Sequence, residues 1–118
     1  MESKLNIDAR DGSAPGHRVM VLAGPLVLNN IFDFQPAVRA ETAPVLVLDL
    51  TAVSYVDSAG IGALVNVQVS RDRAGRKLAL AGVSKRCREV LAITRVENVF
   101  TFYDTVEQAE TITKNATA

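Results

Sequence analysis

The run Val45-Leu46-Val47-Leu48-Asp49-Leu50, followed within a few residues by Asp57-Ser58-Ala59-Gly60-Ile61-Gly62, constrains this chain more than any other stretch. Apolar side chains in near-continuous succession fit a strand covered on both faces, because a strand wet on one side alternates. Such a strand needs helices packed against it, and the chain supplies a helix start at once. Asp57 and Ser58 stand directly before a periodic apolar segment, so one of the two caps a helix. Gly60 and Gly62 fall in its first turns, where each is unfavourable by about 1 kcal/mol relative to alanine. On spacing alone the Asp-Ser pair is a cap and the small residues let the helix pack on its own sheet. The sharper alternative is that they leave room for a partner's backbone or side chain.

The flanking chain reads as alternating helix and strand. Leu5, Ile7 and Ala9 alternate with Asn6 and Asp8, the pattern of an edge strand wet on one face. The cluster Asp11-Gly12-Ser13-Ala14-Pro15-Gly16 marks a turn, and Arg18 to Ala23 completes a hairpin that Gly24-Pro25 ends. A helix opening at Asn29 or Asn30 has Ile31, Phe34 and Val38 at helical spacing. Pro36 either kinks it or is its true first position. Beyond the central strand, the helix after Asp57-Ser58 puts Ile61, Leu64, Val65 and Val69 on one side and Arg71, Asp72 and Arg73 in its last turn. Gly75 is a left-handed stop. Lys77 to Ala81 is a strand. Ser84 caps a third helix with the stripe Cys87, Val90, Leu91 and Thr94, leaving Lys85, Arg86 and Arg88 to a solvated face. Val99 to Tyr103 is the last strand. Asp104 with Glu107 reads as a capping box before a final helix carrying Val106, Ala109 and Ile112, and the tail from Thr113 is polar and frayed. The expectation is one α/β domain over residues 1–118, with its core at 4–112 and a polar tail at 113–118. It has a mainly parallel sheet of about four to five strands, an antiparallel amino-terminal edge strand, and about four helices.

Composition narrows the function more than it specifies it. Thirteen basic and thirteen acidic residues cancel, so no global field recruits nucleic acid or an anionic membrane. One cysteine, Cys87, and one histidine, His17, make neither an internal disulfide nor a zinc site of the usual ligand count, which suits a reducing cytoplasm. No secretory pattern opens the chain and no window approaches the ~20 apolar residues of a membrane helix. Gly60-x-Gly62 lacks the third glycine of a dinucleotide turn and no GxxxxGK[ST] loop occurs, so no nucleotide or other cofactor is expected. His17 reads as an exposed turn histidine, Cys87 as a small buried hydrophobe, and the two tyrosines as packing residues. No catalytic grouping assembles, and the chain is expected not to be an enzyme. A phosphate on Ser58 would meet unpaired backbone N–H groups at the helix start, opposed by the like charge of Asp57.

The segment Leu48-Asp49-Leu50-Thr51-Ala52-Val53-Ser54-Tyr55-Val56-Asp57-Ser58-Ala59-Gly60-Ile61-Gly62 closely resembles the signature of STAS-domain anti-sigma factor antagonists, in which a strand leads into Asp-Ser-(Ser/Thr/Ala)-Gly-(Leu/Ile)-Gly. Arg76 to Ser84, Val90 to Thr94, Val99-Phe100 and Tyr103 to Ala109 follow that family's order and spacing, so the likeness spans nearly all of Arg18 to Ile112. The resemblance implies that Ser58 is phosphorylated by a cognate anti-sigma factor, a serine kinase with a histidine-kinase-like ATPase fold. The unphosphorylated form binds that anti-sigma factor and frees the sigma factor, and a serine phosphatase resets the switch. It further implies a partner surface of Asp57, Ser58, Ala59, Gly60, Ile61 and Gly62 together with Gly24, Pro25 and Leu26, with no catalytic residue, metal or nucleic-acid contact. The chain departs from the pattern in three places. Gly24-Pro25-Leu26-Val27 stands where many phosphorylatable members carry Gly-Glu-Leu-Asp, Ala59 replaces a frequent second hydroxyl, and Arg95 occupies a common glycine position. The missing acidic pair favours the alternative of a STAS scaffold subunit that is never phosphorylated, within a signalling or lipid-transport assembly. A small nucleotide-binding or hydrolytic domain is a third reading, without a phosphate loop or catalytic trio behind it.

Overall fold

The computed structural model describes residues 4–116, with side chains through Thr111. Among these residues five strands form one sheet in the order β1-β2-β3-β4-β5, and only β1 runs antiparallel to its neighbour. The strands are β1 (Asn6–Asp11), β2 (His17–Ala23), β3 (Val45–Ala52), β4 (Lys77–Ala81) and β5 (Phe102–Tyr103). The helices are α1 (Ile31–Arg39), α2 (Ser58–Arg73), α3 (Lys85–Ile93) and α4 (Val106–Ala116). The apolar run of β3 lies mid-sheet, as its continuous pattern requires. Its Leu46, Leu48 and Leu50 enter the core shared with α1, α2 and α3, while Val47 joins Val19, Ala79, Ala81, Val106 and Ala109 on the opposite face beneath α4. The alternation of strand side chains thus divides the helices between the two faces.

Several local expectations shift, each for a longer-range reason. Of the two placements open to Pro36, it takes the one inside α1 and is not the first position. Both Pro36 and Phe32, whose carbonyl it cannot engage as a donor, are exposed, so the missing bond falls on the solvent side. The buried face of α2 runs through Ile61, Leu64, Val67, Gln68 and Arg71, and Val69 is exposed. Arg71 is buried because its guanidinium donates to three backbone carbonyls, Lys77 at 3.1 Å, Glu41 at 3.0 Å and Ala43 at 2.6 Å. Burial, and secondarily the nearby Arg76, pushes its pKa down to about 10, so it stays charged at neutral pH. Glu41 is tied in twice, since its carboxylate also accepts from Arg18 at 3.1 Å. That bond, followed by the one to Asp11, raises the Arg18 pKa.

The last strand is shorter than expected. Glu97–Val99 forms a single 3-10 turn and only Phe102–Tyr103 pairs, with Leu80 and Ala81. The cap of α4 is Thr105 and not Asp104. Thr105 Oγ1 accepts from the Gln108 N–H, and Gln108 Oε1 accepts from the Asp104 N–H, so the cap lies one residue later than the sequence suggests and the Gln108 side chain reaches the residue before it. The helix then continues to Ala116, through tail residues expected to fray. His17 is buried at the start of β2, with Nδ1 3.5 Å from Glu110 Oε1 of α4, because that helix closes over a position that locally reads as a turn. On α3, Arg88 is not simply solvated. It bonds Glu97 at 3.0 Å and lies 3.8 Å over the Phe102 ring.

Candidate functional site

Beyond the register shift between Val21 and Ala23, the chain leaving β2 stays alongside the chain leaving β3. The Gly24 N–H donates to Ala52 O at 3.0 Å, Leu26 N–H to Tyr55 O at 2.8 Å, and Asp57 N–H to Leu26 O at 3.3 Å, with Leu26 and Val56 paired as an isolated parallel bridge. The loop before α1 is therefore zipped to the segment that opens α2. Gly24 adopts φ 113°, a left-handed conformation that favours glycine, where a Cβ would also meet the Lys4 carbonyl. Asn30 holds the loop from the other side. Its Oδ1 accepts from Val27 N–H at 3.0 Å and its Nδ2 donates to Pro25 O at 2.9 Å, so it latches the turn and does not cap α1.

Of the two candidate caps, Asp57 is the one used. Its backbone is extended and its Oδ1 accepts from the Gly60 N–H at 2.8 Å. Its other oxygen accepts from the Leu28 N–H at 3.1 Å, so one carboxylate caps α2 and clamps the neighbouring loop. Ser58 follows as the first helical residue. It is exposed, and its hydroxyl makes no hydrogen bond among the described residues. Both Asp57 oxygens are occupied by backbone N–H groups, so the carboxylate positions the helix start more than it positions that hydroxyl.

The residues expected at the site divide by exposure. Ser58 and Gly62 face solvent, and Asp57, Ala59, Gly24 and Pro25 are half-buried. Leu26, Gly60 and Ile61 are buried, and act on the surface only by shaping it. The two glycines separate here. A Cβ on Gly60 would collide with the Leu26 carbonyl and come within 2.9 Å of Val56 Cγ1, so that space serves the zipped loop. At Gly62 nothing lies within 4 Å. Sequence reasoning missed three exposed apolar neighbours, Leu28 (58 % exposed), Phe32 (71 %) and Tyr55 (40 %). Leu28 is held by Asp57, Phe32 lies in the first turn of α1, and Tyr55 lies 5.2 Å under the Arg86 guanidinium. The available signal was that Phe32 falls off the Ile31, Phe34, Val38 stripe.

His17 lies at the start of β2, whereas Ser58 follows the carboxyl end of the parallel β3. Among the described residues no cluster of His, Cys, Asp and Glu could hold a metal ion, and no helix is long and apolar enough to cross a membrane. What stands out is a free hydroxyl at a helix start, beside an exposed apolar rim.

The STAS domain family model matches residues 10–109, and the chain belongs to that family. It is 33 % identical over 64 residues to a protein of Thermotoga neapolitana whose name assigns it provisionally to the anti-sigma factor antagonists. That match covers 54 % of this chain and 57 % of the relative, so the chain spans little more than half the length of the curated relative it matches. An anti-sigma factor antagonist from Mycobacterium paratuberculosis superposes with a TM-score of 0.82 at 20 % identity, covering 95 % of this chain and 96 % of that one. The anti-sigma factor antagonist SpoIIAA superposes in its unphosphorylated form with a TM-score of 0.65 at 15 % identity, covering 96 % and 98 % of the two chains. Its phosphorylated form gives 0.64 at 13 %, covering 92 % and 99 %. At these identities the superpositions establish the fold, five strands with β1 antiparallel and helices on both faces.

Proposed function

We propose that this chain is an anti-sigma factor antagonist. Its unphosphorylated form binds a cognate anti-sigma factor, a serine kinase with a histidine-kinase-like ATPase fold, and so releases the sigma factor. Phosphorylation of Ser58 ends that binding and a serine phosphatase restores it. The observation that carries this reading is the position of Ser58, an exposed first helical residue with an unengaged hydroxyl, next to a carboxylate that ties the helix start to the loop bearing Leu28. A phosphoserine carries about −1.5 to −2 charges at neutral pH. Placed beside Asp57, that charge repels the carboxylate holding the Leu28 N–H, so it acts on the loop as well as on the surface directly. Exposed Leu28, Phe32 and Tyr55, with the open face at Gly62, supply the apolar area a protein partner covers.

The test is incubation with the cognate kinase and ATP, followed by intact-mass measurement. Wild type gains one phosphate and Ser58→Ala gains none. No gain in wild type, with a kinase shown to be active on another substrate, overturns the proposal. The scaffold reading draws on Pro25 and Val27 in a loop where acidic residues are common in phosphorylated members. It predicts a stable assembly, recovered by pull-down, that is indifferent to Ser58→Asp.

A further inference from the structure

The outer edge of β1 is open, and its charges fit a second copy of the same strand. In the β1–β2 ladder each residue pairs with the one that brings the two numbers to a constant sum, from Asn6 with Ala23 to Asp11 with Arg18, and the Gly12 N–H donates to His17 O at 2.7 Å in the same register. Hydrogen-bonded pairs alternate along an antiparallel ladder. Arg10 and Asp8 therefore spend their backbone groups on β2, as does the Gly12 N–H, and Asp11, Ala9 and Ile7 turn theirs outward, the Asp11 carbonyl accepting only a 3.4 Å bond from the Arg10 side chain. No other strand lies on that side among the described residues. Asp8 and Arg10 project from the same face of the strand and both are exposed.

We propose that two copies of this chain associate through β1, antiparallel and two-fold symmetric, with Ala9 opposite Ala9 of the second copy, so that the two sheets become one. In that register Asp8 stands opposite Arg10 of the second copy, and Arg10 opposite its Asp8, as close non-hydrogen-bonded pairs of opposite charge. Ile7 and Asp11 exchange backbone hydrogen bonds across the junction. Sliding one strand by two residues, the smallest step that keeps the hydrogen-bonding pattern, sets Asp8 on Asp8 in one direction and Arg10 on Arg10 in the other. Charges on an edge strand ordinarily prevent pairing. Here they select one register and oppose its neighbours. The association is reversible and modest, as a single-edge interface implies, and it does not depend on the state of Ser58.

Sedimentation equilibrium on the whole chain, up to about 1 mM, tests this with a charge swap. Wild type shows a monomer–dimer equilibrium. Asp8→Arg alone and Arg10→Asp alone each weaken association by about tenfold or more, since each places like charges in both symmetric pairs. The double variant Asp8→Arg/Arg10→Asp restores it to within about threefold of wild type. Ala9→Pro removes the outward N–H without touching a bond to β2, and abolishes the dimer while circular dichroism and thermal unfolding show the fold retained. A wild type monomeric throughout, or a dimer unmoved by the single reversals, overturns the proposal.

Discussion

Gly60 and Gly62 are two residues apart in one helix and are expected to answer the same substitution with opposite signs. Replacing a helical glycine by alanine gains about 1 kcal/mol where space allows. At Gly62 nothing lies within 4 Å of the added Cβ, so Gly62→Ala keeps most of that gain. The expected rise in thermal midpoint is about 2–4 °C, at about 4 °C per kcal/mol for a domain of this size. At Gly60 the added Cβ collides with the Leu26 carbonyl, which already accepts from the Asp57 N–H at 3.3 Å, while the Leu26 N–H is committed to Tyr55 O at 2.8 Å. The backbone there cannot yield without loosening one or both bonds, each worth about 1 kcal/mol. Forcing a methyl group into a filled site adds about 1–3 kcal/mol. Set against the propensity gain, Gly60→Ala loses about 1–4 kcal/mol and about 4–16 °C. Urea and thermal unfolding followed by far-ultraviolet circular dichroism give both values. On the proposed partner surface Gly62→Ala has a second readout, because a more stable protein should bind the anti-sigma factor less well if that open face is where the partner approaches. A neutral Gly60→Ala, or a destabilising Gly62→Ala, would refute the assignment of the first glycine to the loop and the second to the surface.

Two further substitutions test how the helices are closed. Arg95 is the one non-glycine residue with positive φ among those described, at 62°, and it completes a Schellman ending of α3, with its own N–H on Ala92 O and the Val96 N–H on Leu91 O, both at 3.1 Å. Because Gly75 ends α2 by the same pattern at φ 72° without strain, Arg95→Gly should stabilise the domain by about 1 kcal/mol, read as a rise in urea midpoint, and Gly75→Arg should do the reverse. Arg71→Lys replaces a fork serving three carbonyls by one ammonium and should lose about 1–3 kcal/mol in urea unfolding at pH 7, and a change under 0.5 kcal/mol would contradict the role given to its burial.

The fold was legible where one physical pattern dominated locally. The uninterrupted Val45 to Leu50 run announced a strand covered on both faces, Gly75 a left-handed stop, and alternation in Leu5 to Ala9 a wet edge. It was illegible where the deciding contact came from far along the chain. His17 reads as a turn histidine until α4 brings Glu110 to it, and the place of Arg71 in the last turn of α2 does not announce its burial, which comes with the Glu41 and Ala43 carbonyls from the segment before β3. The rotation of the α2 stripe away from Val69 has the same origin, since one helix must satisfy both the sheet and α1. At the candidate site, the helix start at Asp57-Ser58 was recoverable from the motif, whereas the burial of Leu26 and the exposure of Leu28 and Phe32 depend on a zipped loop that no local pattern encodes.

That loop changes what the absent acidic residues mean. With Glu and Asp in the second and fourth places of the loop, a phosphate on the serine would meet two carboxylates besides the one preceding it. This chain has Pro25 and Val27 there, so Asp57 is the carboxylate adjoining Ser58 in sequence and also the one bonded to the loop. On the proposed reading, charge at Ser58 therefore reaches the loop through the Asp57 contacts to the Leu28 and Gly60 N–H groups, and not by repelling the loop's own side chains. In the unmodified chain Asp57 holds two backbone donors, which makes the clamp part of the resting fold. An uncharged loop then has a consistent place in such a switch: Pro25 and Val27 leave the resting contact undisturbed, and the new charge has one specific carboxylate to displace.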